Sequence, residues 1–313
     1  MSYPTGWIPF EQRDLLMQAA HAEALARMPS HFALSSSGDD KGDQVLLTDF
    51  WKHPEVVASV GYEFPGIHQL TGSCVGAGGG NVVFTLAAVE VVRLGDPEQA
   101  LVPFWLYTYG RSRFRAGMRG RGEGSMGSSF AEAIREDGIV PATDPGLPPF
   151  NQREGLVWGE SAELQWSDGE SADANVVARA KRFVVKSTAP CRDHTQVRAA
   201  IQNYFPCTNA CSYYASPNGA RVQDGVCLGR LDSRGGHQTG FLGWKKHPTL
   251  GDLYLYANQW GFVYPQCPTG APRIACWLLA NEVEVFLERA EPVLLAKLLQ
   301  VLPLSNERND VAS

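Results

Sequence analysis

The amino-acid sequence predicts an α+β fold in which a mainly helical half precedes a mainly antiparallel β half. Apolar residues recur at helical spacing in the first half, whereas the second half has short apolar runs bounded by Gly, Pro and Asp. The 32 glycines and 20 prolines indicate many turns and argue against a helical bundle. A length of 313 residues fits one large domain or two tightly joined lobes.

Composition excludes several other classes of protein. A hydrophobic fraction of 44% and a charged fraction of 19% are typical of a globular chain, and the net charge of −6 disfavours nucleic acid as a partner. No stretch approaches the roughly 18 apolar residues that span a bilayer, and Met1–Phe10 does not resemble a signal peptide. We therefore expect a protein without a membrane partner or a signal peptide, located in the cytoplasm.

The predicted helices follow from apolar spacing and from their end signals. The strongest is the buried helix over Asn81–Leu94, which Gly95 ends. Four further segments are predicted to be helical: Phe10–Met28, Ser128–Glu136, Thr195–Tyr204 and Asn281–Leu302.

The remaining segments are predicted to be strands and loops. Gln238–Trp244 and Leu253–Ala257 have the character of antiparallel strands, and Cys207 that of a strand residue. Residues 143–172 are rich in Pro, Gly, Ser and acidic side chains, which predicts a long surface excursion. Ser35–Asp43 is predicted to be a linker, and the tail Ser305–Ser313 to fray. These patterns divide the chain into an N-terminal helical extension (1–59), a helical lobe (60–185), an antiparallel β lobe (186–280), and a C-terminal helix and tail (281–313).

The seven cysteines are odd in number and irregularly spaced, so free thiols are the default expectation. They are Cys74, Cys191, Cys207, Cys211, Cys227, Cys267 and Cys276. Cys74 stands out because it lies at the start of the best buried helix, where unpaired backbone N–H groups and the helix dipole lower the pKa of a thiol. The alternative is that Cys74 is a small buried apolar residue, as most cysteines are.

A thiolate nucleophile needs an imidazole to share its proton and a polar group to orient that imidazole. His237 begins one of the two predicted strands, and Asn258 directly follows the other. Because the turn-rich stretch Lys245–Asp252 would join these strands as a hairpin, we expect His237 and Asn258 at the same end of it. Taken singly, each residue is more often structural.

Three motifs together resemble those of the papain-like cysteine peptidases. They are Gly72-Ser73-Cys74, Gly236-His237 opening a strand, and Asn258-Gln259-Trp260-Gly261. The similarity covers roughly residues 60 to 280. It implies a two-lobe fold, with the nucleophile on a helix of the first lobe and the histidine and asparagine on the β lobe.

The resemblance also implies a role for each matching residue. Cys74 would be the nucleophile that forms a thioester acyl-enzyme, His237 its imidazolium partner, and Asn258 the orienting residue. The family's side-chain amide in the oxyanion hole would correspond to Gln69. The family's ring-shielding tryptophan would be Trp260, and the backbone around Gly122 and Gly124 would pair with an extended peptide or protein substrate. The bond hydrolysed would be a peptide or isopeptide bond, with no cofactor.

The sequence departs from the family pattern in four respects, the mildest of which is Val75 in place of an aromatic residue after Cys74. Only Leu70 and Thr71 separate Gln69 from Gly-Ser-Cys, one residue fewer than usual, so His68 competes for its place. Four glycines fill the first turns of the nucleophile helix, which indicates an irregular start or the close approach of another backbone: Gly76, Gly78, Gly79 and Gly80. No inhibitory pro-segment signature is recognisable before Cys74, so the sequence does not support zymogen control.

Other interpretations remain open at this point. A weak or inactive papain-fold protein used for structure or binding is the main alternative, for example a bacteriophage virion component with assembly partners. Zinc binding by Cys191, His194, Cys207 and Cys211 has tolerable spacing, but buried thiols are favoured and no metal is expected. The basic stretch Arg111–Arg121 could contact RNA or an acidic partner, although a solvated loop is favoured.

Overall fold

The computed structural model describes residues 5–27, 42–94, 101–169, 171, 173–233, 235–265, 272–288 and 293–301. The predicted linker up to residue 41, Gly95, Cys267 and the tail from residue 302 onward lie outside the described residues. The helices are α1 (Leu15–Ala26), α2 (Pro54–Val60), α3 (Cys74–Leu94), α4 (Trp105–Arg115), α5 (Gly127–Glu136), α6 (Glu160–Asp168), α7 (Ala174–Ala180), α8 (His194–Gln202) and α9 (Ala280–Glu288). The strands are β1 (Gln44–Leu46), β2 (Asn151–Gln152), β3 (Leu156–Val157), β4 (Phe183–Cys191), β5 (Cys207–Cys211), β6 (Tyr214–Gln223), β7 (Val226–Asp232), β8 (His237–His247), β9 (Gly251–Ala257), β10 (Ala275–Leu279) and β11 (Val293–Val301).

The prediction of a helical half followed by a β half is confirmed. The main sheet has nine strands in the order β4-β11-β5-β8-β9-β10-β7-β6, and β1 pairs with β8. Neighbouring strands are antiparallel except β10 and β7. The predicted hairpin is present as β8 and β9, which pair from His247 opposite Gly251 to Gly240 opposite Ala257. This pairing brings the start of β8 and the end of β9 to one edge of the cleft.

Helix α3 lies at the centre of the molecule, and the close packing around it explains the glycines in its first turns. A Cβ atom on Gly78 would lie 2.5 Å from the carbonyl oxygen of Gln238 on β8, and one on Gly79 would lie 2.0 Å from the ring of Phe130 on α5. On Gly76 it would lie 3.0 Å from the carbonyl oxygen of Trp105. A side chain at Gly78 would push α3 away from β8, and side chains at Gly76 and Gly79 would push it away from α4 and α5, so the close approach predicted from the glycine run is confirmed.

The same helix corrects the expectation that no stretch is apolar enough to span a membrane. Cys74–Arg93 passes that test by length and composition, and 94% of the apolar window is buried inside the protein. This burial is that of a core helix, which is apolar on every side because protein surrounds it.

The predicted helix over Asn281–Leu302 is wrong beyond Glu288. Residues Val293–Val301 form β11, which pairs antiparallel with β4 along most of its length and with β5 near its start. The segment is a short apolar run, and such runs fit a buried strand as well as a buried helix. The open edges of β4 and β5 decided the outcome, because β11 provides hydrogen-bonding partners to both.

Two loop predictions also need correction. Residues 143–172 are not only a surface excursion, because they contain α6, whose Trp166 packs edge-on against Phe104 with the ring centroids 4.7 Å apart. The first part of the basic stretch is not a solvated loop either, since α4 continues to Arg115 and buries Arg111 and Arg113, whereas residues 119–121 do form an exposed turn. Arg111 pairs with Asp137. Buried guanidinium groups persist because carboxylates and carbonyl oxygens satisfy them.

Candidate active site

Cys74 is the first residue of α3, and its thiol is fully buried against the start of β8. Burial raises the pKa of the Cys74 thiol to about 11, although the backbone N–H groups of Gln238, Gly6, Trp7 and Val75 act in the opposite direction. The lowered pKa expected from the helix start is therefore not found in this closed state. Desolvation of the thiolate outweighs the favourable N–H groups around it.

His237 and Asn258 meet as the hairpin prediction requires. Nε2 of His237 lies 2.9 Å from Oδ1 of Asn258, and both side chains are buried. The amide orientation follows from the other end of the side chain, where Nδ2 of Asn258 donates to the hydroxyl of Tyr264 at 2.9 Å. Oδ1 therefore accepts from His237, which places the ring proton on Nε2. The other ring nitrogen, Nδ1, is buried and makes no hydrogen bond to any described residue.

The indole of Trp260 covers the imidazole. The rings of Trp260 and His237 are stacked with centroids 4.3 Å apart and planes inclined by 17°. Burial lowers the pKa of His237 to about 3, while its hydrogen bond to Asn258 raises it. The raised pKa of the thiol and the lowered pKa of the imidazole both favour the neutral groups over a thiolate–imidazolium pair in this state.

The reason for this burial is a stretch of the chain itself, residues 5–9, which we call the N-terminal segment. Trp7 donates its backbone N–H to the carbonyl of Gly236 at 3.2 Å, and Ile8 donates to the carbonyl of Ser125 at 3.0 Å. Ser125 in turn donates to the carbonyl of Gly6 at 2.8 Å. The N-terminal segment thus hydrogen-bonds to both lobes and passes directly over Cys74.

Helix α1 continues the N-terminal segment and anchors it to α5. His21 lies 2.8 Å from the hydroxyl of Ser128, and Arg27 forms an ion pair with Glu132 at 2.6 Å. Arg121 also pairs with Asp14, the N-cap of α1. Sequence patterns do not support zymogen control, but in the structure a segment of the chain itself lies across Cys74. No short motif marks it, because its hydrogen bonds to the two lobes are made by backbone groups.

The loop before Cys74 contains the two residues that compete for the oxyanion role. Gln69 is buried, and its Nε2 atom donates to the carbonyl of Thr71 at 2.8 Å. His68 is half-buried, and its Nδ1 atom lies 3.4 Å from the carbonyl of Arg153. Gln69 is therefore the more enclosed of the two, and its amide hydrogen-bonds within its own loop in this closed state.

The backbone of Gly122 and Gly124, next to the N-terminal segment, is fixed by hydrogen bonds with side chains of α4. Arg113 donates through Nη1 to the carbonyls of Gly122 and Gly124, each at 2.8 Å. The hydroxyl of Tyr109 accepts from the N–H of Gly124 at 2.9 Å and donates to the carbonyl of Gly72 at 3.2 Å. The residue that pairs with the N-terminal segment is Ser125, which directly follows the two predicted glycines.

Sequence reasoning missed Glu163 on α6. Its carboxylate is fully buried and accepts hydrogen bonds from Leu70, Thr71 and Ser73. The one available signal was the apolar spacing around Trp166, which could have indicated a buried helix inside the supposed surface excursion.

The cysteines proposed as zinc ligands do not gather with His194. Cys191 and Cys207 are 4.0 Å apart, whereas Cys211 donates to the carbonyl of Phe286 and His194 bonds to the hydroxyl of Tyr254. Within the described part of the chain, no group of three or more His, Cys, Asp or Glu residues could hold a metal ion.

Comparisons with known proteins identify the fold. No family model and no curated protein sequence matches the chain. Xylellain, a cysteine protease from Xylella fastidiosa, is structurally similar with a TM-score of 0.62 at 16% identity, over 96% of this chain and 99% of that chain. Procathepsin B S9 from Trypanosoma congolense gives 0.56 at 12%, over 93% and 91%. Bromelain from Ananas comosus, solved with the inhibitor E64, gives 0.50 at 13%, over 82% and 99%. The predicted papain-like fold is thereby confirmed.

Proposed function

We propose that this protein is a papain-like cysteine peptidase that hydrolyses peptide or isopeptide bonds through a thioester on Cys74. One observation carries the proposal. An extended stretch of polypeptide already lies across Cys74, hydrogen-bonded to Gly236 on one side and to Ser125 on the other. A cleft that holds a peptide backbone in this manner is suited to a peptide or protein substrate.

The chemistry would use the residues around the cleft. The Cys74 thiol transfers its proton to Nδ1 of His237, and the sulfur attacks the substrate carbonyl carbon. The resulting oxyanion accepts hydrogen bonds from the Cys74 backbone N–H and the Gln69 amide. His237 then protonates the departing amine, which leaves a thioester on Cys74. Water hydrolyses this thioester with His237 as the base, which regenerates the thiol.

Asn258 and Trp260 support the histidine in this scheme. Asn258 fixes the ring with Nδ1 available for the thiol, because its own amide is oriented by Tyr264. Trp260 shields the hydrogen bond between His237 and Asn258 from water. Both contacts exist already in the closed state, so opening the cleft requires the N-terminal segment to leave rather than the β lobe to rearrange.

The closed state favours a second candidate, an inactive papain-fold protein with a structural or binding role. The supporting observation is that the chain's own N-terminal segment fills the cleft and leaves both Cys74 and His237 buried. A bacteriophage virion component with assembly partners is one form of this candidate, and it goes with a virion-associated rather than a cytoplasmic location.

Labelling with the epoxide E-64 distinguishes the two candidates. The chain and its Cys74→Ala and His237→Ala variants are incubated with E-64, and the modified residue is located by mass spectrometry. The peptidase predicts a single adduct on Cys74 that is lost in both variants. The experiment is repeated in a Gly6→Ala chain, whose N-terminal segment cannot fit in the cleft. If Cys74 stays unmodified in that chain too, or is modified equally well without His237, the peptidase proposal fails.

A further inference from the structure

The five-residue loop 69–73 leads into the nucleophile, and the carboxylate of Glu163 accepts hydrogen bonds from three of its residues. Glu163, on α6, accepts the backbone N–H groups of Leu70 and Thr71, each at 2.9 Å. It also accepts the hydroxyls of Thr71 at 2.6 Å and of Ser73 at 2.7 Å. Four donors from the residues immediately before Cys74 therefore converge on one carboxylate.

The Glu163 carboxylate is a buried anion surrounded by hydrogen-bond donors of the loop. Glu163 is fully buried, and no salt bridge joins it to a described residue. Its charge is satisfied by the four hydrogen bonds, three of which end on Oε2. Hydrogen bonds to a carboxylate are stronger than those between neutral groups, and a buried carboxylate without such donors is costly. The loop and Glu163 therefore constrain one another.

Helix α6 is itself held firmly in place. Trp166, one turn beyond Glu163, packs against Phe104. The backbone carbonyl of Trp166 lies so close to Gly110 that a Cβ there would be 2.2 Å away. Through Glu163, the loop 69–73 is therefore fixed relative to α6 and the helices on which α6 packs.

Gly72, in the middle of this loop, is fixed by two other residues. Its N–H donates to Oε2 of Glu123 at 2.5 Å, and its carbonyl accepts from Tyr109. Each residue from Leu70 to Ser73 therefore has at least one hydrogen bond to Glu163, Glu123 or Tyr109. The backbone N–H of Cys74, the proposed oxyanion donor, directly follows these four hydrogen-bonded residues.

We infer that Glu163 is a positioning residue, which orients the loop before Cys74 so that its oxyanion-binding groups face the reacting carbonyl. The inference rests on the proposed function and adds a residue to it. Stabilising donors act only when they are placed where the charge develops, so a small rotation of this loop reduces the rate without removing any catalytic group. Glu163 touches no reacting atom and acts through Leu70, Thr71 and Ser73.

The test uses Glu163→Gln in the Gly6→Ala chain, with Glu160→Gln as the matched control. Glu160 lies on the same helix and is exposed. The glutamine amide has a similar shape, but its NH₂ group would face hydrogen-bond donors of the loop. At least one of the four hydrogen bonds is therefore lost. Turnover of fluorescein-labelled casein is compared with alkylation of Cys74 by iodoacetamide, which forms no oxyanion.

For Glu163→Gln we expect kcat on casein to fall about 10- to 100-fold, with KM and the iodoacetamide rate within about 3-fold of the parent. Glu160→Gln should change none of the three. Equal loss of turnover and alkylation, or no loss of either, overturns the inference while the peptidase proposal stands. If the Gly6→Ala parent neither cleaves casein nor reacts with E-64, the proposed function itself fails.

A second variant protects the test against misfolding. Thr71→Val keeps the carboxylate and removes only the 2.6 Å hydroxyl donor. If Glu163→Gln does not fold, Thr71→Val should still lower kcat on casein about 3- to 10-fold without affecting alkylation. Unchanged turnover in Thr71→Val would then contradict the inference.

Discussion

The backbone N–H of Trp7 lies 3.2 Å from the carbonyl oxygen of Gly236, the residue immediately before His237. This hydrogen bond joins the N-terminal segment to the β lobe at the residue that precedes the imidazole-bearing His237. On the opposite side, Ile8 and Gly6 bond to Ser125 of the helical lobe. The chain therefore closes its own cleft with a strand that is held by backbone groups, and the properties of the site depend on whether that strand is in place.

Gly6→Ala should open the cleft. A Cβ on Gly6 would lie 1.6 Å from the carbonyl oxygen of Gly72, a distance that no adjustment of a side chain relieves. The N-terminal segment should therefore leave the cleft, and the second-order rate of E-64 labelling at Cys74 should rise at least about 10-fold, equivalent to about 1.4 kcal/mol. Mass spectrometry over time measures this rate. Glu11→Gln, an exposed change in the same part of the chain, should label at the parent rate. An unchanged rate in Gly6→Ala would show that the segment does not limit access.

Acid should weaken the anchoring of α1 through His21. Burial lowers the pKa of His21 to about 4, with a further contribution from Arg13, whereas a released histidine titrates near 6.5. The docked state thus holds a neutral ring, and its stabilisation is complete above pH 6.5 and is lost as pH falls towards 4. The charged groups nearby are Arg13 beside the ring, and Glu132 and Arg27, which pair where α1 packs on α5.

We therefore expect E-64 labelling of the native chain to accelerate between pH 6.5 and 4, relative to the Gly6→Ala chain. The ratio of the two rates cancels the titration of Cys74 and His237 in the open cleft, but closure also lowers the pKa of His237, so protonation of His237 adds to the same release of the segment in acid. His21→Gln keeps a hydrogen-bonding group for Ser128 and removes the contribution of His21, so this ratio should rise less steeply as pH falls. A ratio that rises as steeply in His21→Gln as in the native chain would assign the whole effect to His237 or to another group.

Asn258→Ala should lower the rate of catalysis while leaving the site around Cys74 in place. The variant removes the acceptor 2.9 Å from Nε2 of His237, so the ring loses its fixed orientation towards the thiol. In the Gly6→Ala chain, casein turnover should fall about 10- to 100-fold. Asn203→Ala, at the end of α8, is the matched control and should retain parental turnover. Full activity in Asn258→Ala would remove Asn258 from the proposed machinery.

Gly78→Ala should destabilise the interface between the lobes. The added methyl group would lie 2.5 Å from the carbonyl oxygen of Gln238, so α3 and β8 must separate. Overpacking of this kind costs about 1–3 kcal/mol, which exceeds the roughly 1 kcal/mol that alanine gains over glycine in a helix. Urea unfolding should show a lower free energy of unfolding. Gly169→Ala, whose Cβ would meet its nearest neighbour at 3.4 Å, should change it little; equal stability of the two variants would argue against tight packing at Gly78.

Sequence patterns were sufficient where the determinants are local. The apolar spacing and glycines of α3, the strands on either side of Lys245–Asp252, and the three motifs around Cys74, His237 and Asn258 predicted the fold and the pairing of His237 with Asn258. Helix geometry and hairpin register depend on residues close together in the chain, so short-range reasoning reaches them.

Only the tertiary structure decided the features that depend on distant backbone groups. The strand at Val293–Val301 follows from open hydrogen-bonding edges on β4 and β5, and Glu163 meets the loop before Cys74 from about 90 residues away. The hydrogen bonds of the N-terminal segment to both lobes use its peptide groups, which every sequence possesses and which therefore leave no motif. Closure of the cleft, and with it the neutral state of Cys74 and His237, is consequently a property of the folded chain.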